Sequence, residues 1–131
     1  MRFALDVLGL IDTFPRSIAG ELTGRQLAKS ATSVAANYRA TCAARSRAEF
    51  IAKLGVVFEE TDESEFWLDV TVRKGLGVIA DAERLHDESV ELRAIFGRSL
   101  GTARANSRNT QSNHHRQSPK FPKSPDNQIT Q

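Results

Sequence analysis

Apolar side chains recur along the first hundred or so positions of the chain at the three- and four-residue spacing of amphipathic helices. The pattern predicts no strands and four helices, over residues 2–13, 24–44, 47–73 and 81–105. Pro15 ends the first helix, because proline disfavours helical geometry in the residue before it. We expect Thr23 and Asp81 to cap the second and fourth helices. Ser46 followed by Glu49 predicts a capping box at the start of the third.

Each predicted helix has one face that is mainly apolar, and these faces define the expected core. On the second helix this face consists of Leu27, Ala31, Val34, Ala35, Tyr38 and Cys42. On the third helix it consists of Phe50, Leu54, Val57, Phe58, Thr61, Leu68 and Val72. On the fourth it consists of Leu85, Leu92, Ile95, Phe96 and Leu100. Four such helices joined by short connections predict an all-α fold, an antiparallel up-down four-helix bundle over residues 1–105.

The last part of the sequence has a different composition from the bundle. Residues 106–131 are polar, contain several prolines and show no apolar period. A segment of this kind cannot bury enough surface to offset its chain entropy. We therefore predict a disordered C-terminal tail, and it is basic, with Arg108, Arg116, Lys120 and Lys123 against Asp126.

The net charge of +2 hides an uneven distribution of charged residues along the chain. Residues 12–53 hold seven Lys or Arg and three Asp or Glu. Residues 54–92 hold three Lys or Arg and eleven Asp or Glu. Such a split suits a nucleic-acid surface, or a contact between the basic face of one subunit and the acidic face of the next. Both explanations remain open at this point.

Within the basic part, the second helix carries a stripe of cations opposite its apolar face. Arg25, Lys29 and Arg39 extend over about 21 Å at a rise of about 1.5 Å per residue. Phosphates lie at short intervals along a nucleic-acid strand, so this stripe could follow a backbone. The stripe is the candidate nucleic-acid-binding site, although a solvated helix face looks the same.

The third helix carries a second stripe beside its core face, formed by Val56, Glu60, Glu63, Trp67 and Val70. Apolar residues outside the core stripe indicate a surface that another molecule covers, and the simplest cover is a second copy of the chain. The two glutamates would then face the cations of the second helix across a subunit contact. Alternatively, Trp67 closes the edge of the intramolecular core and the glutamates are solvated.

Catalytic, metal and cofactor sites are not expected. Glu83 and His86 form one Glu-x-x-His motif, but a carboxylate-bridged metal pair in a bundle needs two such motifs and further inward carboxylates. Cys42 is the only cysteine, which excludes an intrachain disulfide, and its position on the apolar face predicts a small buried residue. No apolar run approaches the length of a membrane span. We therefore expect a cytoplasmic protein without enzymatic activity.

The densest stretch, residues 26–68, carries a pattern that resembles a known family. The pattern reads QLxxSxxSxxxNYR, then ARSxxEFxxKL, then EExxESxxWL, and it is similar to the proteins encoded in intervening sequences of bacterial 23S ribosomal RNA genes. The matching residues are Gln26, Ser30, Ser33, Asn37, Tyr38, Arg39, Arg45, Ser46, Phe50, Lys53, Glu60, Glu63, Trp67 and Leu68. Family members commonly have Glu directly after the NYR run, whereas this chain has Ala40.

The resemblance implies an antiparallel four-helix bundle that assembles into a ring-shaped homopentamer. A related branch, the accessory proteins of diversity-generating retroelements, works with a reverse transcriptase and nucleic acid through a basic surface. The expected function is therefore that of an oligomeric accessory protein bound to RNA, DNA or a nucleic-acid enzyme. The alternative is a protein–protein scaffold without nucleic-acid contact.

Overall fold

The structure, a computed structural model, describes residues 1–116, and these residues form four helices. The helices are α1 (Arg2–Ile11), α2 (Ile18–Cys42), α3 (Arg47–Lys74) and α4 (Ile79–Arg116). No residue in this described part lies in a strand. Each helix packs against its neighbours in the order α1–α2–α3–α4, and α1 closes the ring by contacting α4. The predicted all-α, up-down bundle is confirmed.

The connection between α2 and α3 follows the predicted capping box. Ser46 Oγ accepts a hydrogen bond from the Glu49 amide at 3.1 Å, and a Glu49 carboxylate oxygen accepts one from the Arg45 amide at 3.0 Å. Lys53, one turn later, forms a 3.1 Å ion pair with Glu49. Together these contacts hold the pKa of Glu49 below its ordinary value, first through the Arg45 amide and then through Lys53.

The predicted start of α2 was wrong by about six residues, because Ser17 rather than Thr23 is the N-cap. Ser17 Oγ accepts the Gly20 amide at 3.1 Å. Thr23 is buried inside the helix. Gly20, which lies before the predicted start, is inside the helix, and Gly24 permits close packing. A Cβ on Gly24 would lie 3.2 Å from the Ile11 side chain of α1.

The core has two clusters stacked along the bundle, and only one of them includes α1. The first consists of Phe3, Val7, Leu10, Leu27, Ala31, Leu68, Ala82 and Leu85. The second consists of Val34, Leu54, Val57, Phe96 and Leu100, from α2, α3 and α4 alone. Because α1 has 10 residues and the other helices have 25, 28 and 38, α1 covers only part of their length. The second cluster is therefore open on one side.

This short first helix explains where the predicted core was wrong. Cys42 is exposed. Tyr38 and Ile95 are 49% and 47% exposed, and Phe50 is 37% exposed. Tyr38, Cys42 and Ile95 lie on the predicted apolar faces of α2 and α4, but beyond the part of those faces that α1 covers.

Two buried serines join α2 and α3 at the middle of the bundle. Ser64 Oγ and Ser30 Oγ lie 3.0 Å apart, and both residues are fully buried. Each hydroxyl also has a backbone acceptor in its own helix: the Leu27 carbonyl for Ser30 at 3.2 Å and the Glu60 carbonyl for Ser64 at 2.9 Å. Small residues at this crossing allow the two backbones to approach closely.

The fourth helix is longer than the sequence predicts. It begins at Ile79, so Asp81 lies in its first turn, and it continues to Arg116 through residues that we assigned to the disordered tail. No proline or glycine occurs between Gly101 and Ser118 to stop it. Within the extension, Thr110 and Ser112 donate hydrogen bonds to carbonyls four residues earlier. The rest of the predicted tail, residues 117–131, lies outside the described residues.

Candidate interaction surfaces on the bundle

The predicted cation stripe lies on the outward face of α2. Arg25, Lys29 and Arg39 are all exposed, as the sequence predicts. None of the three forms an ion pair with any residue in the described part of the chain. The only acidic residue of α2 is Glu21, in its first turn. From Gly24 to Cys42 the helix therefore presents positive charge that no acidic residue of its own offsets.

The second stripe of α3 lies along the flank that borders α2. Val56 is 38% exposed, and Glu63 is also exposed. Glu60, Trp67 and Val70 are half-buried. Trp67 packs against the first core cluster, and its ring meets Phe66 edge-on at 5.0 Å. The tryptophan therefore closes the edge of the intramolecular core, while Val56 and Glu63 remain accessible to a partner.

Glu60 is the residue at which the two stripes come together. Its partial burial raises the pKa of the carboxyl group above the ordinary value of 4.5, and the neighbouring charge of Glu63 raises it further. Lys29 of the same chain opposes this increase. Lys29 is therefore close enough to act on Glu60, but the pair is not in contact as a salt bridge.

The opposite flank of α3 uses its carboxylates internally. Arg93 of α4 contacts Asp62 at 3.1 Å and Glu65 at 2.8 Å, so one guanidinium joins two successive turns of α3. His86 of the Glu-x-x-His motif lies near this acidic flank, half-buried, beside Asp62 and Asp69. Among residues 1–116 there is no group of three or more His, Cys, Asp or Glu side chains placed to hold a metal ion.

The structure also brings together arginines that the sequence does not place side by side. Six of them lie at the end of the bundle where α2 ends, α3 begins and α4 continues: Arg39, Arg45, Arg47, Arg98, Arg104 and Arg108. All six are exposed, and none forms an ion pair with a residue in the described range. We call these six residues the basic end.

Sequence reasoning missed most of the basic end because its arginines belong to three different helices and one connection, and charge spacing along a single helix does not show which helix ends lie at the same pole. The one signal for this surface in the sequence was the order of charged residues: from Leu92 to Arg116 the chain has five arginines and no acidic residue. In the helical extension, Arg104 and Arg108 are four residues apart and therefore share one face. The basic end is thus a larger cationic surface than the predicted stripe on α2.

Comparisons with known proteins agree with this architecture. The sequence model of the family described as "23S rRNA-intervening sequence protein" matches residues 1–98. A solved structure that is similar to the chain is a protein of unknown function from the S23 ribosomal protein family of Bacteroides thetaiotaomicron. The two are 27% identical, with a TM-score of 0.64, over 76% of this chain and 92% of that one. No curated protein matches the chain. None of the helices in the described part is both long and apolar enough to cross a membrane.

Proposed function

The chain belongs to the 23S rRNA-intervening sequence protein family, and from that premise we propose that it is a non-enzymatic, oligomeric accessory protein that binds nucleic acid in the cytoplasm. The observation that carries the proposal is the basic end, where the topology places six exposed arginines at one pole of the bundle, none with an ion-pair partner in the described part of the chain. The cation stripe of α2 continues this surface along the side of the bundle.

Arginine-rich helical surfaces suit the phosphate backbone because guanidinium groups pair with phosphate oxygens in two-point contacts. Each neutralised phosphate releases condensed counterions, so affinity falls steeply with salt concentration. Arg104 and Arg108, on one face of the α4 extension, are placed to contact neighbouring phosphates. This mode of binding depends on charge and shape, and it predicts little preference for base sequence.

Oligomerisation is the second part of the proposal, and the α3 flank supports it. Val56 and Glu63 are exposed there, and Glu60 has an elevated pKa because its carboxylate is partly desolvated. A neighbouring copy could supply a cation that pairs with Glu60 or Glu63, neither of which forms an ion pair in residues 1–116. The resemblance implies a pentamer, and a ring would place one basic end per subunit around a common axis.

The test of nucleic-acid binding compares two charge reversals that change the net charge equally. Arg104→Glu with Arg108→Glu alters the basic end. Arg16→Glu with Lys74→Glu alters exposed cations that form no ion pair in residues 1–116 and lie at the other end. Binding of fluorescent RNA and DNA is measured by anisotropy over a salt series from about 50 to about 200 mM.

Losing two phosphate contacts makes the slope of log K against log salt less steep by about 1.8. Across that salt range the affinity of the variant should therefore fall about 12-fold less than the affinity of the unaltered protein. We expect this change for the basic-end pair and a weaker, non-local effect for the opposite pair. Truncation after Arg116 should retain binding. Equal effects of the two pairs, or no binding by the unaltered protein at low salt, would reject the proposal.

The competing function is a protein–protein scaffold, and Glu60 favours it at one position, because this half-buried carboxylate forms no ion pair in the described part of the chain. In a scaffold, the α2 cations pair with glutamates of a neighbouring subunit. Lys29→Glu would then dissociate the oligomer, whereas under the nucleic-acid proposal it weakens binding and leaves the assembly intact. Sedimentation velocity of the variant distinguishes the two outcomes.

A further inference from the structure

An open apolar groove lies between α2 and α4, beyond the first residue of α1. Its volume is about 330 Å³. It is lined by Met1, Phe3, Ala4, Ala31, Val34, Ala35, Tyr38, Leu92, Ile95 and Phe96, none of which has a charged side chain. The rings of Tyr38 and Phe96 meet across it at a centroid distance of 5.7 Å. The groove exposes part of the second core cluster to solvent.

The shape of the groove fits a helix. Between α2 and α4, α1 already fills the same space over the first core cluster, where Phe3 and Val7 are buried. The groove is the continuation of that space beyond the N-terminal end of α1. Ala35, Tyr38 and Cys42 follow one another on α2 at helical spacing, over about 10 Å beyond the part that α1 covers. A helix of about two turns with one apolar face would cover this length.

Positively charged side chains lie beyond the end of the groove that is farther from α1. A second depression adjoins the groove on the next turns of α4 and is lined by Ser46, Arg47, Phe50, Arg98, Ser99, Thr102, Ala103 and Asn106. Its only charged lining residues are two arginines, and neither forms an ion pair with a residue of the described chain. The surface is therefore apolar along its length and cationic at one end.

We propose that this groove docks an amphipathic helix of a partner protein whose first turn is acidic. The partner helix runs in the same direction as α1, so that it is antiparallel to both α2 and α4. Its N-terminal turn then reaches Arg47 and Arg98. Acidic residues in the first turn of a helix are also favoured by its own dipole, so the same side chains stabilise the helix and its docking. Apolar residues three and four apart fill the groove.

The chain's own C-terminal residues do not match this description. Residues 117–131 carry Lys120 and Lys123 against a single acidic residue, Asp126. Their net positive charge would be repelled by Arg47 and Arg98. They also contain three prolines, which interrupt helical hydrogen bonding. The required occupant is acidic and helical, and we therefore assign the groove to a separate protein.

The first experiment uses a synthetic, stapled helix of about 14 residues, which spans about 21 Å, as the probe. Its first turn contains glutamates, and leucines form one face at three- and four-residue spacing. A second peptide replaces the glutamates with lysines, and a third replaces the leucines with alanines. Binding of each labelled peptide to the full-length protein is measured by anisotropy. We expect only the first to bind well.

Two variants of α4 locate the binding site. Ile95 and Val90 are both exposed β-branched residues of the same helix, 47% and 38% exposed, but only Ile95 lines the groove. Ile95→Glu should weaken binding of the acidic peptide at least about tenfold, as expected for a central apolar contact, whereas Val90→Glu should leave it unchanged. Arg98→Glu should weaken the acidic peptide and improve binding of the lysine peptide. Circular dichroism confirms that each variant is folded.

Several results would overturn the assignment. They include no binding of the acidic peptide, equal binding of the lysine peptide, and equal loss in the two α4 variants. If Ile95→Glu instead dissociates the protein's own oligomer and the peptide does not bind, a second copy occupies the groove. The nucleic-acid proposal is tested separately with Arg104 and Arg108, which lie outside the lining of both depressions, so the two ideas can fail independently.

Discussion

The hydroxyl pair between Ser30 and Ser64 gives a sharp test of how α2 and α3 are held together. Replacing either serine with alanine removes the 3.0 Å interhelical hydrogen bond. The remaining hydroxyl keeps a backbone acceptor in its own helix, the Leu27 or the Glu60 carbonyl, so neither variant leaves an unsatisfied donor. Each substitution therefore changes the free energy of unfolding in two ways: it removes one neutral hydrogen bond, and it replaces serine with a residue of higher helix propensity.

These two terms predict an unusual order of stabilities. One neutral hydrogen bond contributes about 1 kcal/mol to the free energy of unfolding. Alanine favours a helix over serine by about 0.5 kcal/mol. Ser30→Ala and Ser64→Ala should each lower the free energy of unfolding by about 0.5 kcal/mol. The double variant loses the same bond once and gains propensity twice, so it should match the unaltered protein, with a coupling of about 1 kcal/mol.

The measurement is chemical denaturation followed by circular dichroism and by Trp67 fluorescence, at one fixed protein concentration because self-association adds to apparent stability. Ser89→Ala is the matched control. Ser89 is equally buried, but its hydroxyl donates within its own helix, to the His86 carbonyl at 2.6 Å. Combined with Ser30→Ala it should be additive within about 0.5 kcal/mol. A Ser30–Ser64 coupling no larger than this control would show that the hydroxyl pair does not stabilise the crossing.

Two further predictions concern the α3–α4 connection and the α3 flank. Gly75 and Gly77 both have positive φ, 71° and 66°, so an alanine is strained at either position. Only a Cβ on Gly77 would also collide with Thr13. Gly77→Ala should therefore lower the free energy of unfolding by about 1–3 kcal/mol more than Gly75→Ala does. Equal midpoints of thermal unfolding for the two variants would contradict the clash. The pKa of Glu60 is raised above 4.5 by burial and by Glu63, so the folded state binds the proton more tightly and stability falls as pH rises through that raised pKa. Glu60→Gln should therefore stabilise the protein at neutral pH, by less than about 1 kcal/mol because the side chain is only partly buried and solvent screens it, and the gain should vanish below pH 4.5.

The features that the sequence predicted correctly are those that short-range interactions determine. The capping box at Ser46 requires only residues within one turn of it, and the helical periods require only local spacing. The start of α2 was missed because Gly20, taken alone, indicates a loop, whereas inside the helix it leaves room for the Pro15 carbonyl, where a Cβ would collide. Tyr38 and Ile95 were assigned to the core because a helical wheel shows direction but does not show how far the facing helix extends.

The basic end shows how topology creates a surface that composition does not contain. In an up-down bundle α2 and α4 are parallel, so their C-terminal ends lie at the same pole, together with the connection into α3. Both helices become basic toward that end, whereas residues 54–94 hold eleven acidic and four basic residues. Charges that are about 50 positions apart in the sequence thereby become neighbours in space, and the molecule is polarised although its net charge is only +2. For this reason the overall charge of this chain is a poor guide to its surface, and under the nucleic-acid proposal a substitution at Arg104 should affect binding more than one at Arg16.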